Sequence, residues 1–240
     1  MNIRQQQGFS LLEIVVVVVI IGFILGGMLR GQEMITSAKV RRVAGQLDEV
    51  RAAYLGFQDR FKALPGDYAD ADATLDCGAA LCLHGNGDGR IRDNETPAAG
   101  SQVHEDLLVW THLCDSGLMK GDLHMTDGES QARDGNALKN AYSVYLQIAF
   151  DGTYGLNATG IPRHNLKTGA QIPVGVLVEL DRKVDDARPY QGTLQFSGYQ
   201  GNAAIAPTEG GGATCTTASS PNADWNLGSA NPNCGAAVTL

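Results

Sequence analysis

Residues 8–30 are GFSLLEIVVVVVIIGFILGGMLR, a long apolar run with a single carboxylate near its start. No residue from Ile14 to Leu29 is charged, and Glu13 is the only charged residue between Phe9 and Leu29. The run reaches the roughly 20 residues that an α-helix needs to span a bilayer. We therefore predict a membrane-spanning helix, in which Glu13 needs an explanation because a carboxylate in hydrocarbon costs about 2–3 kcal/mol or more.

The sequence around this run argues against a cleaved secretory signal peptide. Such a peptide has an apolar core of about 7–15 residues followed by a small-x-small cleavage site. Here the run leads into MLRGQEMITSAKV, residues 28–40. The amino terminus and Arg4 face the cytoplasm by the positive-inside rule, which places the rest of the chain on the other side of the membrane.

Charge is distributed unevenly along the 240 residues. Residues 1–64 hold eight Lys or Arg and five Asp or Glu, a net charge of +3, whereas residues 65–240 hold ten and twenty-one, a net charge of −11. An acidic domain of this kind argues against a nucleic-acid surface and is compatible with a bound cation such as calcium. The length allows one moderate globular domain with its own core.

A second helical pattern follows the apolar run. Apolar side chains recur at spacings of three and four and therefore form one stripe of a helix: Val40, Val43, Leu47, Val50, Tyr54, Phe57, Phe61 and Leu64. With no proline between Phe9 and Leu64, we predict one continuous helix that ends at Pro65-Gly66. A single-pass anchor with a juxtamembrane coiled coil would show the same stripe, but it does not explain the Gly-Phe-x-x-x-Glu arrangement before it.

The first thirteen residues, MNIRQQQGFSLLE, resemble the start of a type IV prepilin: a short basic leader, a glycine, an aromatic residue and a glutamate fifth from that aromatic. The resemblance is strong over residues 1–64. It implies that a membrane-embedded prepilin peptidase cleaves between Gly8 and Phe9 and that the new amino terminus at Phe9 is N-methylated. Gly22 falls where these pilins have a glycine, whereas Arg30 stands where many have a helix-bending proline, so we predict no proline kink.

The resemblance also implies a role for Glu13. In an assembled filament, Glu13 of one subunit approaches the α-amine of Phe9 on a neighbour, and each buried charge neutralises the other. The alternative is that Glu13 snorkels to the cytoplasmic boundary, because four residues from the new terminus is a shallow depth.

An α+β, pilin-like fold follows from the resemblance: a long N-terminal helix packed on an antiparallel β-sheet, with a disulfide-bounded C-terminal region. We expect a leader peptide at residues 1–8, a transmembrane and assembly helix at residues 9–35, the amphipathic half of the same helix at residues 36–64 and a globular head at residues 65–240.

Two elements of the head follow from periodicity. Residues 103–119 predict a helix with apolar residues on its inward face and with Asp106 and Asp115 outside; the inward residues are Leu107, Trp110, Cys114 and Leu118. Residues 142–150 alternate strictly, which predicts a strand, and residues 193–199 predict a second one.

Residues 173–186 suit either a helix that starts at Pro173 or an alternating strand. We favour the helix, because LDRKVDDARPYQG, residues 180–192, is similar to a stretch found in prepilin-like proteins. Ala187 stands where those proteins have a glycine, which leaves the local turn open.

Residues 84–95, HGNGDGRIRDNE, fit most of a twelve-residue calcium loop. Asn86, Asp88, Arg90 and Glu95 occupy the third, fifth, seventh and twelfth places. The first place is His84, which suits calcium poorly because this ion prefers oxygen ligands. Four aspartates upstream could supply the missing oxygen if the loop folds back: Asp67, Asp70, Asp72 and Asp76. The alternative is a glycine-rich turn held by Asx hydrogen bonds; calcium is the one cofactor we consider, and none is required.

The five cysteines allow one or two disulfides and a leftover thiol. A bridge between Cys215 and Cys234 would close a loop of about twenty residues, would contribute roughly 3 kcal/mol, and would resemble the disulfide-bounded C-terminal region of many pilins. Cys77 and Cys82 lie close enough for a second bridge, while pairing of Cys82 with Cys114 is the rival assignment. Zinc is disfavoured because neither pair has a CxxC spacing.

No nucleophile elbow, phosphate loop or HExxH motif is present, so we expect no enzyme. The resemblance implies a structural subunit of a type IV pilus or pilus-like filament. Its expected partners are prepilin peptidase, other pilin subunits, an inner-membrane assembly platform and, before assembly, membrane lipid. We expect the head in the periplasm and the assembled form in a cell-surface or periplasmic filament. The alternatives are a pseudopilin or minor pilin of a type II secretion or DNA-uptake system, and an unrelated membrane-anchored binding module.

Overall fold

The computed structural model describes residues 11–77, 82–91 and 103–240. In chain order its elements are α1 (Leu11–Phe61), α2 (Ala71–Thr74), α3 (Glu105–Asp115), β1 (Gln147–Asp151), β2 (Arg163–Lys167), α4 (Val174–Val184), β3 (Leu194–Phe196) and β4 (Ala236–Thr239), with short 3₁₀ turns at Leu156–Ala158 and Leu227–Ser229. The α+β class predicted from the sequence is confirmed.

The chain divides into two compact units between Lys39 and Val40, within α1. We call Met1–Lys39 the N-terminal unit, whose described part is residues 11–39, and Val40–Leu240 the head unit. In the N-terminal unit the helix is apolar enough to span a membrane, and its apolar side chains are exposed, for example Ile14 at 51% and Phe23 at 80%.

In the head unit α1 presents the predicted apolar stripe to the core. The residues from Val40 to Phe57 on this stripe are buried, and Phe61 packs at its margin. The ring of Tyr54 lies 6.2 Å from that of His164 on β2, and Gln46 donates a hydrogen bond to the Lys139 carbonyl at 2.7 Å. The stripe therefore carries the contact between α1 and the sheet, as the 3.6-residue period requires.

The helix ends at Phe61, before Pro65-Gly66 where we predicted its end. Lys62 has a positive φ of 56°, and its N–H still bonds the Gln58 carbonyl at 2.9 Å. A left-handed residue at this place terminates the helix in the way glycine caps usually do. Its backbone conformation, rather than the proline, sets the boundary.

The four strands form one antiparallel sheet in the order β1-β2-β4-β3. The predicted strand at residues 142–150 begins only at Gln147, because Asn140 holds the preceding segment in a turn: its Oδ1 accepts the N–H groups of Tyr142 at 2.7 Å and Val144 at 3.1 Å. Residues 144–149 are all buried, so neither face of this segment is exposed to solvent.

Helix α3 differs from its prediction in how it is buried. Residues 105–113 are all buried, and the two aspartates we placed outside lie inside. Asp106 accepts a hydrogen bond from Gln147 Nε2 at 3.0 Å, and the Asp115 side chain, 4% exposed, faces His124 Nδ1 at 3.5 Å. One oxygen of each carboxylate meets a polar partner, which offsets part of the cost of burial. Helix α4, by contrast, forms where the sequence favoured a helix, directly after Pro173.

Two disulfides close the head unit. Cys77 pairs with Cys82, and Cys215 pairs with Cys234. Cys114 is free and half-buried, so the rival pairing of Cys82 with Cys114 is wrong. Cys215 and Cys234 are fully buried beside the sheet, so the C-terminal segment packs on the core although its composition could not form one alone.

Candidate functional site

In the N-terminal unit, residues 11–28 form a helix whose apolar side chains are exposed to its surroundings. Glu13 lies in the first turn of the described helix and is exposed, and a Cβ added at Gly22, Gly26, Gly27 or Gly31 would meet nothing within 4 Å. Gly8 and Phe9, the predicted cleavage and methylation positions, lie outside the described residues. Side chains of this kind are stable in a lipid phase or against other apolar helices.

The second candidate region is the acidic loop, residues 84–91, which folds back onto Asp67. Asp67 is buried. Its Oδ1 accepts the N–H of Asp88 at 3.0 Å, and its Oδ2 accepts the N–H of Gly89 at 2.8 Å. Its backbone carbonyl accepts the N–H of Gly87 at 2.9 Å. One buried aspartate thus organises the whole turn.

Three carboxylates meet at this loop. Oxygen atoms of Asp67, Asp88 and Glu105 lie within 4.8 Å of one another, and Glu105 accepts the N–H of Asn86 at 3.1 Å. Burial raises the pKa of Asp67, against the lowering effect of the backbone N–H groups. An open cavity of about 630 Å³ borders the cluster at Asp67.

The predicted calcium residues take different places around this cluster. Asp88 belongs to it, and Asn86 Oδ1 accepts the Asp88 N–H at 2.9 Å. Arg90 donates its N–H to Asp88 Oδ1 at 2.9 Å, while its guanidinium lies 5.1 Å from the centre of the Phe150 ring. Glu95 lies outside the described residues. These are the Asx hydrogen bonds of a glycine-rich turn, and the three carboxylates are also ligands that calcium accepts.

The residue that sequence reasoning missed is His112 on α3. It is fully buried. Its Nδ1 accepts the N–H of Gly66 at 2.9 Å, and its Nε2 donates to the Leu83 carbonyl at 2.9 Å. Burial lowers the pKa of His112 to about 4, so the ring is neutral at pH 7 and ties the Pro65-Gly66 turn to the acidic loop. The available signal was its i+4 spacing from the buried Leu108 on one helix face.

Two glycines let these backbones approach closely. Gly66 has a φ of +89°, and a Cβ there would lie 2.5 Å from the Glu105 carbonyl oxygen. A Cβ at Gly85 would lie 2.3 Å from the Gly66 carbonyl oxygen. Any side chain at either position would push α3, the turn and the loop apart.

Comparison with known proteins finds a family match in the N-terminal unit. Residues 3–29 match the family described as the prokaryotic N-terminal methylation motif. No curated protein and no solved structure shows significant similarity to the chain. The motif implies processing by prepilin peptidase and assembly with other pilins. The family that carries this motif is structural rather than enzymatic. The apolar helix fits anchoring in the inner membrane. The chain therefore carries the type IV pilin and prepilin signature, which supports a type IV pilin-like or pseudopilin protein.

Proposed function

We propose that the protein is a structural subunit of a type IV pilus or pilus-like filament. It enters the inner membrane as a prepilin, is cleaved after Gly8, is N-methylated at Phe9 and polymerises through its N-terminal helix. The observation that carries the proposal is the methylation motif at residues 3–29, which includes the first part of α1, where the apolar side chains from Leu11 to Met28 are exposed.

Glu13 is the assembly determinant in this proposal. After cleavage, the α-amine of Phe9 is a cation at the end of an apolar helix, and Glu13 is the only carboxylate between Phe9 and Leu29. Pairing between neighbouring subunits removes two uncompensated charges from a low-dielectric environment. The exposed position of Glu13 on the first turn is compatible with such a contact.

The test is Glu13→Ala as the sole copy of the gene. The substitution removes a costly charge from the bilayer, so insertion and cleavage continue, while the ammonium of the neighbouring Phe9 loses its partner. We expect processed subunit in the membrane fraction and none in sheared filaments. Glu33→Ala, outside the apolar run, is the control and should leave filament yield unchanged. Normal filament yield from Glu13→Ala would return Glu13 to the snorkelling explanation.

Leader processing has a separate test. Gly8→Glu introduces a bulky charged residue at the predicted cleavage junction, so unprocessed precursor should accumulate in the inner membrane. Intact mass spectrometry of assembled wild-type protein should find an N-methylated Phe9 terminus. Retention of Met1 in assembled material would contradict the whole processing scheme.

A pseudopilin or minor pilin of a secretion or DNA-uptake system is the second candidate, favoured by the length of 240 residues, which is large for a simple major subunit. Peptide mass mapping of sheared fibres separates the two. A major pilin is abundant in that fraction, whereas a pseudopilin or minor pilin is scarce and is recovered with neighbouring subunits from the membrane.

A further inference from the structure

The acidic loop is anchored at both ends by a histidine side chain. Just before the loop, the Leu83 carbonyl accepts a hydrogen bond from His112 Nε2 at 2.9 Å, while His112 Nδ1 accepts the N–H of Gly66 at 2.9 Å. At the last residue of the loop, the N–H of Ile91 donates to His164 Nε2 at 3.3 Å. We call His112 and His164 the histidine pair. The pair connects the loop to α3 at one end and to β2 at the other.

Both anchors require a neutral imidazole ring. A neutral ring has one nitrogen that donates a hydrogen bond and one that accepts, whereas both nitrogens of a protonated ring donate. His112 Nδ1 and His164 Nε2 each accept a backbone N–H. Protonation of either ring therefore sets a donor against a donor, and the hydrogen bond to the backbone is lost.

The surroundings of His112 disfavour a positive charge. The ring is fully buried, is stacked on Phe57 with ring centres 6.0 Å apart, and meets Tyr68 edge-on at 6.4 Å. The titratable groups that face it are Tyr68 and His84, and a charge on His84 opposes a second one on His112. Within the part of the chain that the structure describes, the ion pairs that contain a histidine are those of His124. Burial lowers the pKa of His112 to about 4, so a charged ring has to reach water.

His164 lies in a similar environment at the other end of the loop. Its half-buried ring packs against Tyr54 of α1 at 6.2 Å and against Phe150 of β1 at 5.0 Å between ring centres. Charged groups near these rings include Arg90, whose guanidinium lies over the Phe150 ring at 5.1 Å, and Asp67, whose charge acts on Tyr54. Burial lowers the pKa of His164 as well, so the ring is held in the neutral form that accepts a backbone N–H.

The loop is the part that can move when a ring becomes charged. Residues 86–90 are exposed, whereas residues 65–68, the turn on the other side of His112, are buried. Strand β2, which carries His164, is paired on both sides, with β1 and with β4. Other contacts of the loop include the hydrogen bonds to the Asp67 carboxylate. Burial raises the pKa of Asp67, so its own protonation in acid favours the closed loop and acts against the histidine pair.

We propose that the histidine pair is an acid-sensitive latch: protonation of His112 and His164 frees the acidic loop at both ends, while the sheet and residues 40–61 of α1 remain packed. Opening lets the charged rings reach water and exposes two aromatic side chains that His112 covers, Phe57 and Tyr68. For His112 alone, the difference between its usual pKa of 6.5 and its value of about 4 increases the open fraction about 20-fold from pH 7 to pH 5. His164 acts in the same direction. The latch acts within the head unit and is independent of filament formation.

The experiment is hydrogen exchange of the full chain in detergent at pH 7, 6 and 5, with rates corrected for the intrinsic pH dependence of amide exchange. Protection of the amides in residues 84–91 should fall at least about 20-fold between pH 7 and pH 5. Protection in β4 should stay constant, because the sheet remains packed. His124→Gln is the control: this ring is half exposed and bonded to Asp122, so the variant should keep the full wild-type response.

The decisive variant combines His112→Gln with His164→Gln, since a glutamine amide accepts a backbone N–H at every pH. Its loop should be equally protected at pH 7 and pH 5. His164→Gln alone changes a half-buried ring, so this protein should fold even where the double variant does not. In the single variant the acid response should be lost at the N–H of Ile91 and kept at the N–H of Gly66, which donates to His112.

The latch is overturned if the wild-type loop is equally protected at pH 7 and pH 5, or if the fall in protection persists unchanged after these substitutions. Loss of the response in His124→Gln would also overturn it, because a histidine outside the pair would then control the loop. A fall of the same size in β4 would overturn it too, since the head would then unfold as a whole in acid.

Discussion

The N-terminal unit and the head unit use apolar residues in opposite ways along the same helix. The apolar side chains that the structure describes between Leu11 and Ile35 are exposed, whereas between Val40 and Phe57 the apolar residues at helical spacing form one buried stripe. The first arrangement needs lipid or other chains to cover it, and the second is covered by the protein's own core. The two units therefore have different determinants: the folded state of the first depends on its surroundings, and that of the second depends on internal contacts.

The sharpest test of this difference is a matched pair of phenylalanine substitutions. Phe57 is fully buried and stacks on His112 with ring centres 6.0 Å apart, so Phe57→Ala should destabilise the head by about 3–5 kcal/mol. Phe23 is 80% exposed, and Phe23→Ala should leave the Tm of the head unchanged. Thermal unfolding of both full-length variants in one detergent measures the two changes in Tm. Equal losses of Tm would contradict the difference between the two units.

The pH dependence of the head tests the buried His112. Its pKa is lowered from 6.5 to about 4, so the unfolded state binds more protons than the folded state between these values. Stability should therefore be complete above about pH 6.5 and fall by about 3 kcal/mol as the pH drops to 4, with no further loss from this group below that.

The readout is the difference between wild type and His112→Gln, because several carboxylates also titrate in acid. Denaturant midpoints at pH 7, 5.5 and 4 should converge for the two proteins as the pH falls. Parallel pH profiles would show that His112 does not carry this dependence. Glu33→Gln in the N-terminal unit is the control and should leave the profile of the head unaltered.

Calcium binding at the acidic loop stays a prediction. At saturating calcium it should raise the free energy of unfolding of the head by about 1–3 kcal/mol. In the full chain in detergent, millimolar calcium should raise Tm over a chelator control if Asp67, Asp88 and Glu105 bind the ion. Adding Asp88→Asn should remove that rise. An unchanged midpoint at millimolar calcium would leave the glycine-rich turn, held by its own hydrogen bonds, as the sufficient explanation.

The smallest effect concerns the backbone at Ala187, which has a φ of +62°. A left-handed conformation costs an L-residue about 1–2 kcal/mol, and glycine relieves this strain at some cost in unfolded-state entropy. Ala187→Gly should therefore stabilise the head by about 0.5–1 kcal/mol. Ala52→Gly, exposed in the interior of α1, should have the opposite sign and cost about 1 kcal/mol. Equal signs would mean that Ala187 is unstrained.

In the head, the sequence predicted the features that regular spacing determines and missed those that individual polar side chains determine. The stripe of α1 and the helix after Pro173 follow from spacing within a few residues, and both are present. The start of β1 did not follow, because Asn140 captures the preceding N–H groups. The burial of Asp106 could not be predicted from its helix alone, since its partner Gln147 is 41 residues away.

Local chemistry in the chain was sufficient to predict the apolar helix with Glu13 at its start and its amphipathic continuation, because hydropathy and periodicity act between near neighbours. The α+β class was implied by the resemblance to type IV prepilins. Tertiary structure alone paired Cys77 with Cys82, inserted His112 between the turn and the loop, and brought Trp225 to Asp181. The contacts of His112 and Trp225 join segments far apart in sequence, and the disulfide was chosen over the rival pairing of Cys82 with Cys114. Their geometry depends on how the whole core packs and on which polar groups packing leaves without water.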